Sequence, residues 1–198
     1  MDPKEQLVFL AHVPGDVSFG EKIRQPLFAD GIQILQLNVG RRCNLRCKHC
    51  HVEAGPHRTE LMNRAVFEKC LGILSEHAIN TIDITGGAPE MNPHLPWFIE
   101  EVAKLDRKLL VRTNLVILLE EKYRHLMDIY TDHQVEVVTS LPDYHPDRTD
   151  RQRGQGVFDA VIKAMKELNG RGYGRDGGDL MLDLVYNPVG AYLPGSQE

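Results

Sequence analysis

The chain has 198 residues, of which 42% are hydrophobic and 26% are charged, a balance typical of a globular protein with a packed core. Its 23 basic and 28 acidic residues give a net charge of −5, which provides no field that attracts nucleic acid. The apolar stretches are far shorter than the roughly 20 residues that cross a bilayer, so we expect no membrane partner. The N-terminus lacks the features of a secretory signal, which predicts a cytoplasmic, reducing location.

Five segments predict β-strands, because each is short, rich in aliphatic or β-branched residues and ended by Gly, Asn, Pro or Ser. In chain order these segments are 32–39, 81–85, 109–114, 135–140 and 180–186. Helical periodicity occurs between them, at 63–77, 95–105, 118–130 and 157–168. Strands that alternate with helices predict an α/β fold with a parallel sheet, whose functional groups gather in the loops after the strands.

Three of the four cysteines lie close together after the first predicted strand, as Cys43, Cys47 and Cys50. In a reducing compartment this spacing favours a metal centre over disulfides. A cluster of four irons held by three cysteines keeps one iron open for a small molecule, whereas structural zinc needs a fourth ligand such as a nearby histidine. The residues alone leave both alternatives open.

The same cysteines resemble the signature of the radical S-adenosylmethionine (radical SAM) superfamily. The resemblance implies that Cys43, Cys47 and Cys50 hold three irons of a [4Fe-4S] cluster and that S-adenosylmethionine (SAM) chelates the fourth iron. It also implies that His49 lies near the adenine of SAM. The expected fold is then a partial TIM-like (βα) barrel with about five parallel strands.

A turn after the second predicted strand extends the resemblance. The segment 85–90 reads Thr-Gly-Gly-Ala-Pro-Glu and is similar to the Gly-Gly-Glu-Pro turn of the family. That turn binds the amino group of SAM through its backbone, which implies SAM-binding roles for Gly86, Gly87 and Ala88. Ala88 replaces the glutamate of the family, and a glutamate follows the proline as Glu90.

Three positions near later strand ends also resemble the family. Asn114 ends a segment similar to the Thr-Asn turn of the third strand, and Ser140 matches a serine that reaches the ribose or carboxylate of SAM. Arg153 precedes a Gly and then a Phe-Asp helix start, and it is a candidate for binding the carboxylate of SAM. A guanidinium fork matches the charge and the plane of a carboxylate.

Within the superfamily, the segments 43–52, 83–90 and 184–188 are most similar to the radical SAM proteins of arsenosugar biosynthesis. This resemblance implies that a dimethylated trivalent arsenic species is joined to the adenosyl group of SAM, with an electron donor such as flavodoxin or ferredoxin. The alternative is a zinc or electron-transfer iron–sulfur module without catalysis. A further alternative is a fragment that binds its cluster without turnover.

The resemblance also predicts the domain organisation. Residues 1–31 are expected to form an N-terminal arm, and residues 32–198 a radical SAM core. The family core has six βα units, and these proteins also have a Cys-rich C-terminal domain. We therefore expect the chain to be truncated before the sixth βα unit and the Cys-rich domain, with an unpaired edge on its last strand.

Two other signals are interpreted as structural. The segment 172–177 has the Gly-x-Gly-x-x-Gly pattern, but it follows a helix and precedes a strand, the reverse of a dinucleotide site. Cys70 shares a predicted helical face with Phe67 and Leu74, which predicts a place in the hydrophobic core.

Overall fold

A computed structural model describes Val8 and residues 19–23, 26–28 and 30–186. The chain divides into two compact units, Met1–Ile32 and Gln33–Glu198. In its described part, the first unit includes a short helix, α1 (Phe19–Lys22). Most of the predicted N-terminal arm, and residues 187–188 of the segment similar to the arsenosugar proteins, lie outside the described residues.

The second unit is built on five parallel strands that form one sheet. The strands are β1 (Ile34–Asn38), β2 (Thr81–Thr85), β3 (Lys108–Thr113), β4 (Glu136–Ser140) and β5 (Leu182–Val185). They lie side by side in chain order, so each crossover returns the chain next to the preceding strand, as in a βα barrel. The predicted α/β fold with parallel strands is confirmed, and β1 and β5 are the outer strands of the described sheet.

Five further helices connect or follow the strands, together with short 3₁₀ turns. The helices are α2 (Arg64–Glu76), α3 (Leu95–Ala103), α4 (Leu126–Asp132), α5 (Pro146–Arg153) and α6 (Val157–Gly170). In the described ranges, no helix is long and apolar enough to cross a bilayer.

The prediction of one continuous helix over 118–130 is wrong. The structure has 3₁₀ turns at Val116–Leu119 and Glu121–Tyr123 before α4 begins at Leu126, because Glu120 between them takes an extended conformation. Helix α5 was not predicted from the sequence. The buried residues of this helix, Thr149, Gln152 and Arg153, are all polar, so no apolar periodicity reveals it.

Strand residues alternate between two faces of the sheet. On one face, apolar residues pair in register across all five strands: Leu37, Ile84, Val111, Val137 and Leu182. These residues join the hydrophobic core, which also contains Phe67 and Phe98 with ring centroids 4.7 Å apart. The opposite face carries polar side chains, including Gln36, Asp83 and Arg112. Cys70 is 8% exposed within the core, as predicted.

Glu90 is a buried acid in this fold. It is 3% exposed, and one carboxyl oxygen accepts a hydrogen bond from the Tyr130 hydroxyl at 3.1 Å. Its second oxygen has no hydrogen-bond partner among the described residues. Burial disfavours the charged carboxylate and raises the pKa of Glu90, although hydrogen bonds, the largest from Thr113, partly oppose the effect.

We predict that Glu90→Gln flattens the pH dependence of stability. Because the pKa of Glu90 is higher in the folded chain than in the unfolded chain, its contribution to stability is present at low pH and lost as the pH rises through the raised pKa. The free energy of unfolding, measured by urea denaturation between about pH 5 and pH 8, should therefore fall with pH in the wild type. It should fall less in the variant.

Tyr130→Phe serves as the control, because it removes the hydroxyl donor and keeps the acid. This control should retain the decline of stability with pH. An equal decline in Glu90→Gln and in the wild type would contradict the prediction.

Candidate functional site

The loop that carries the three clustered cysteines lies directly on the turn after β2. The backbone N–H of Gly87 donates to the Gly40 carbonyl, and that of Ala88 donates to the Arg42 carbonyl, each at 2.9 Å. A Cβ at Gly87 would lie 2.4 Å from the Arg42 carbonyl oxygen, and one at Gly86 would lie 2.7 Å from that of Gly40. Glycine is therefore required here because the cysteine loop leaves no space for a side chain.

One pocket of about 400 Å³ opens at this end of the sheet. Nine of the ten predicted site residues line it: Cys43, Cys47, His49, Cys50, Gly86, Gly87, Asn114, Ser140 and Arg153. The tenth, Ala88, is buried beneath the cysteine loop and does not line the pocket. Glu90 does not line the pocket either, and its carboxyl group accepts a hydrogen bond from the Tyr130 hydroxyl.

The three thiols that line the pocket are free and partly or fully buried. Cys43 Sγ accepts a hydrogen bond from the Leu45 amide at 3.4 Å, and Cys50 Sγ accepts one from the Ala54 amide at 3.3 Å. Burial raises the pKa of Cys43 and of Cys47, and at Cys47 the Arg153 guanidinium partly opposes this effect. Such thiols need a positive partner to become thiolates.

Arg153 brings a buried positive charge to the pocket from the end of α5. It is 3% exposed, and its guanidinium donates to the backbone carbonyls of Ser140 and Asn114. Its Nε has no hydrogen-bond partner in the described part of the chain. Helix α5 also contacts the cysteine loop, since the Lys48 amide donates to the Gln152 carbonyl at 2.8 Å. A buried cation with an unused donor favours an anionic ligand.

Asn114 holds the cysteine loop in place. Its side-chain nitrogen donates to Asn44 at 2.8 Å and to Cys43 Sγ at 3.6 Å, and its side-chain oxygen accepts from the Ile117 amide at 3.0 Å.

His49, which also lines the pocket, has a buried Nδ1 with no hydrogen-bond partner among the described residues, and burial lowers the pKa of His49. Its neutral ring is thus favoured at one wall of the pocket.

Arg112 also lines the pocket, although it was not predicted as a site residue. Its Nε lies 2.8 Å from Asp83 Oδ1 and its Nη2 lies 2.9 Å from Asp83 Oδ2, so the contact is bidentate. The hydrogen bonds that Arg112 donates to the Asp83 carboxylate raise the pKa of Arg112. Alternation along β2 and β3 was the signal that could have placed both side chains on the face opposite the core.

Comparison with known proteins identifies the family. Residues 37–186 match the model of the radical SAM superfamily. The chain belongs to the radical SAM superfamily. Radical SAM proteins use a [4Fe-4S] cluster together with SAM, and the characterised relatives of this chain described below are enzymes. Three thiols and a buried guanidinium on one pocket fit such a cofactor pair.

Two curated relatives illustrate the range of the family. The chain is 30% identical over 132 residues to the subtilosin biosynthesis protein AlbA of Bacillus subtilis, covering 66% of this chain and 29% of AlbA. It is 28% identical over 152 residues to the GTP 3′,8-cyclase of Thermodesulfovibrio yellowstonii, covering 73% of this chain and 46% of the cyclase. The chain thus spans less than half the length of these relatives.

Solved structures support the same fold. SuiB of Streptococcus suis, bound to SAM, has a TM-score of 0.60 and 20% identity, covering 71% of this chain and 32% of SuiB. The protein anSMEcpe with bound SAM also has a TM-score of 0.60, with 17% identity. The match covers 78% of this chain and 43% of the anSMEcpe chain. These structures are TIM-barrel-like, so the predicted partial radical SAM barrel is confirmed.

We predict that Gly87→Ala is destabilising because its Cβ would lie 2.4 Å from the Arg42 carbonyl oxygen. The expected loss in the free energy of unfolding is about 1–3 kcal/mol. Gly72→Ala in α2 is the matched control, since nothing lies within 4 Å of its added Cβ. It should stabilise the chain by about 0.4–1 kcal/mol. Denaturant unfolding of both variants measures the difference, and equal effects would contradict the packing argument.

Proposed function

We propose that this chain is a radical SAM core in which Cys43, Cys47 and Cys50 hold a [4Fe-4S] cluster and the adjoining pocket holds SAM. When bound, the cluster supplies the electron for reductive cleavage of SAM. The observation that carries the proposal is that the three thiols share one pocket with six of the seven SAM-binding positions expected from the resemblance, all except Ala88.

The side chains and backbone of the pocket would bind and orient SAM. The amino group of SAM donates hydrogen bonds, so the carbonyl oxygens of Gly86 and Gly87 would accept them, while the N–H groups of Gly87 and Ala88 donate to the cysteine loop. Arg153 supplies the positive charge for the carboxylate, and Ser140 and His49 lie on the same pocket for the ribose and adenine.

The arrangement of the thiols favours a cluster over the zinc alternative. A single zinc ion needs its donors about 2.0–2.3 Å from one point. Among the described residues, no three His, Cys, Asp or Glu side chains are placed to hold one metal ion together. In a cluster, by contrast, each thiolate binds a different iron, and three thiols around a pocket meet that requirement.

The substrate we propose is a dimethylated trivalent arsenic species, which would receive the adenosyl group. Support comes from the segments 43–52 and 83–90, which resemble arsenosugar-biosynthesis proteins. Trivalent arsenic is soft and prefers thiolates. With three cysteines assigned to the cluster, only Cys70 remains in the sequence, and it lies in the core. We therefore propose that residues 32–198 act as the radical SAM core of a longer protein whose Cys-rich part binds arsenic.

We also propose an electron donor of the flavodoxin or ferredoxin type and a cytoplasmic location. Both are supported by the need to keep three pocket thiols reduced and the cluster supplied with electrons.

Anaerobic reconstitution tests the function. The protein is loaded with iron and sulfide, reduced with dithionite and supplied with SAM, and the product is analysed for 5′-deoxyadenosine or an adenosylated compound. Formation of either supports the proposal. A colourless protein that binds only zinc would overturn it.

We predict that alanine at Cys43, Cys47 or Cys50 abolishes cluster binding, because one iron loses its thiolate. Cys70→Ala is the matched control and should keep the full iron content, at a cost of a few kcal/mol of packing at most. Iron and sulfide analysis with the visible absorbance of the cluster measures the difference. Equal iron loss in Cys70→Ala would refute the ligand assignment.

We predict that Asn114→Asp lowers the reduction potential of the bound cluster. The aspartate keeps the acceptor for the Ile117 amide, removes the N–H that donates to Cys43 Sγ and adds negative charge. Hydrogen bonds to cluster sulfurs and net charge both set the potential, and both changes disfavour the reduced form. Redox titration followed by electron paramagnetic resonance checks the shift, with iron content as the control for assembly. An unchanged or higher potential at full iron content contradicts the prediction.

A further inference from the structure

A polar network crosses three neighbouring strands on the face of the sheet opposite the core. Gln36 on β1 and Arg112 on β3 both hydrogen-bond the carboxylate of Asp83 on β2, which lies between them. The Asp83 side chain is 7% exposed, whereas that of Arg112 is 42% exposed and lines the pocket. A buried carboxylate thus holds two more accessible side chains, Arg112, which lines the pocket, and Gln36 on the adjacent part of the sheet.

The contacts with Asp83 determine which atoms of its neighbours stay available. A carboxylate only accepts, so the Gln36 amide must turn its Nε2 toward Asp83, at 2.7 Å, and its Oε1 away. Arg112 uses Nε and Nη2 for Asp83, which leaves both N–H groups of Nη1 and one of Nη2. Among the described residues, no hydrogen bond uses Gln36 Oε1 or Arg112 Nη1.

The free acceptor and the free donor groups belong to two adjacent side chains. Gln36 Nε2 and Arg112 Nη2 bond the same oxygen, Asp83 Oδ2, at 2.7 and 2.9 Å, so the two side chains are neighbours. Arg112 connects the pair to the pocket that also contains Cys43, Cys47 and Cys50.

The charge of this network selects against anions. The Asp83 carboxylate already balances the Arg112 guanidinium, so a second anion would add an uncompensated negative charge beside Asp83 and face the lone pairs of Gln36 Oε1. An uncharged group that accepts one hydrogen bond and donates another carries neither penalty. Hydroxyl and amide groups have this chemistry.

We propose that Gln36 and Arg112 form a substrate-recognition edge, held by Asp83, that binds an uncharged hydroxyl or amide group of the substrate. This inference rests on the proposed function, because it takes the pocket as the place where a substrate meets SAM. The substrate would present an uncharged polar group to this edge. Both a hydroxyl bound to arsenic and an amide meet this requirement.

Three small probes of nearly equal size test the proposal by ligand-detected NMR on the reconstituted chain with SAM. 2-Propanol represents a hydroxyl flanked by two methyl groups, acetamide represents an amide, and acetate is the isosteric anion of acetamide. We expect 2-propanol or acetamide to bind more tightly than acetate, and the stronger of the two identifies the substrate group.

Two substitutions locate the binding on the network. Gln36→Leu removes the acceptor and keeps the Asp83–Arg112 pair, while Arg112→Lys keeps a cation for Asp83 and removes the fork. Each substitution should lower the affinity for the uncharged probe about fivefold, which corresponds to the loss of one hydrogen bond. Arg171→Met is the matched control, because it breaks a surface pair with Asp128 outside the pocket, and it should leave binding unchanged.

The proposal is overturned if acetate binds more tightly than both uncharged probes, if no probe binds, or if neither Gln36→Leu nor Arg112→Lys weakens binding. Cluster absorbance and SAM binding are recorded on the same samples. Their loss signals failure of the proposed function, whereas altered probe binding with both intact concerns the recognition edge alone.

Discussion

The packing of the cysteine loop onto the glycine turn after β2 is the contact on which the site depends. Backbone meets backbone there, with the amides of Gly87 and Ala88 bonded to the carbonyls of Gly40 and Arg42. A side chain at either glycine would occupy the space of those carbonyls. Because β1 and β2 are adjacent in the sheet, the loops that follow them meet at one edge, and the contact places the cysteines over the strand ends.

Electrostatics at the site combine buried thiols with a buried cation. Burial raises the pKa of Cys43 and Cys47, so the protein alone does not favour three thiolates there. Arg153 is placed against the same pocket by α5, a helix whose buried residues are polar. The site is therefore organised for a ligand that supplies compensating charge of its own, as iron does for thiolates and a carboxylate does for a guanidinium.

The two faces of the sheet have different roles. The apolar row from Leu37 to Leu182 contributes to the core, and the helices and 3₁₀ turns complete that core. The other face keeps Asp83 buried yet paired, since an unpaired carboxylate there would be costly. This division allows a polar surface to form beside the pocket without loss of the core that stabilises the fold.

Much of this protein could be predicted from residue patterns. Short segments rich in aliphatic or β-branched residues located all five strands, and the cysteine spacing with the Gly-Gly turn identified the superfamily. These features are local, because strand propensity and motif spacing depend on residues close together in the chain. Helix α5 was missed because its buried residues are polar, so its sequence has no apolar period. The break at Glu120 was missed because the extended conformation of this residue has no signal in the local sequence pattern.

The sequence by itself therefore determined the fold class, the family and nine of the residues that line the pocket. Only the tertiary structure decided that Ala88 lies beneath the cysteine loop, that Glu90 turns to Tyr130, and that Arg112 reaches the pocket beside Asp83. The physical reason is that these outcomes depend on contacts between side chains and backbone from different strands, whose distances and available space arise only when the sheet forms.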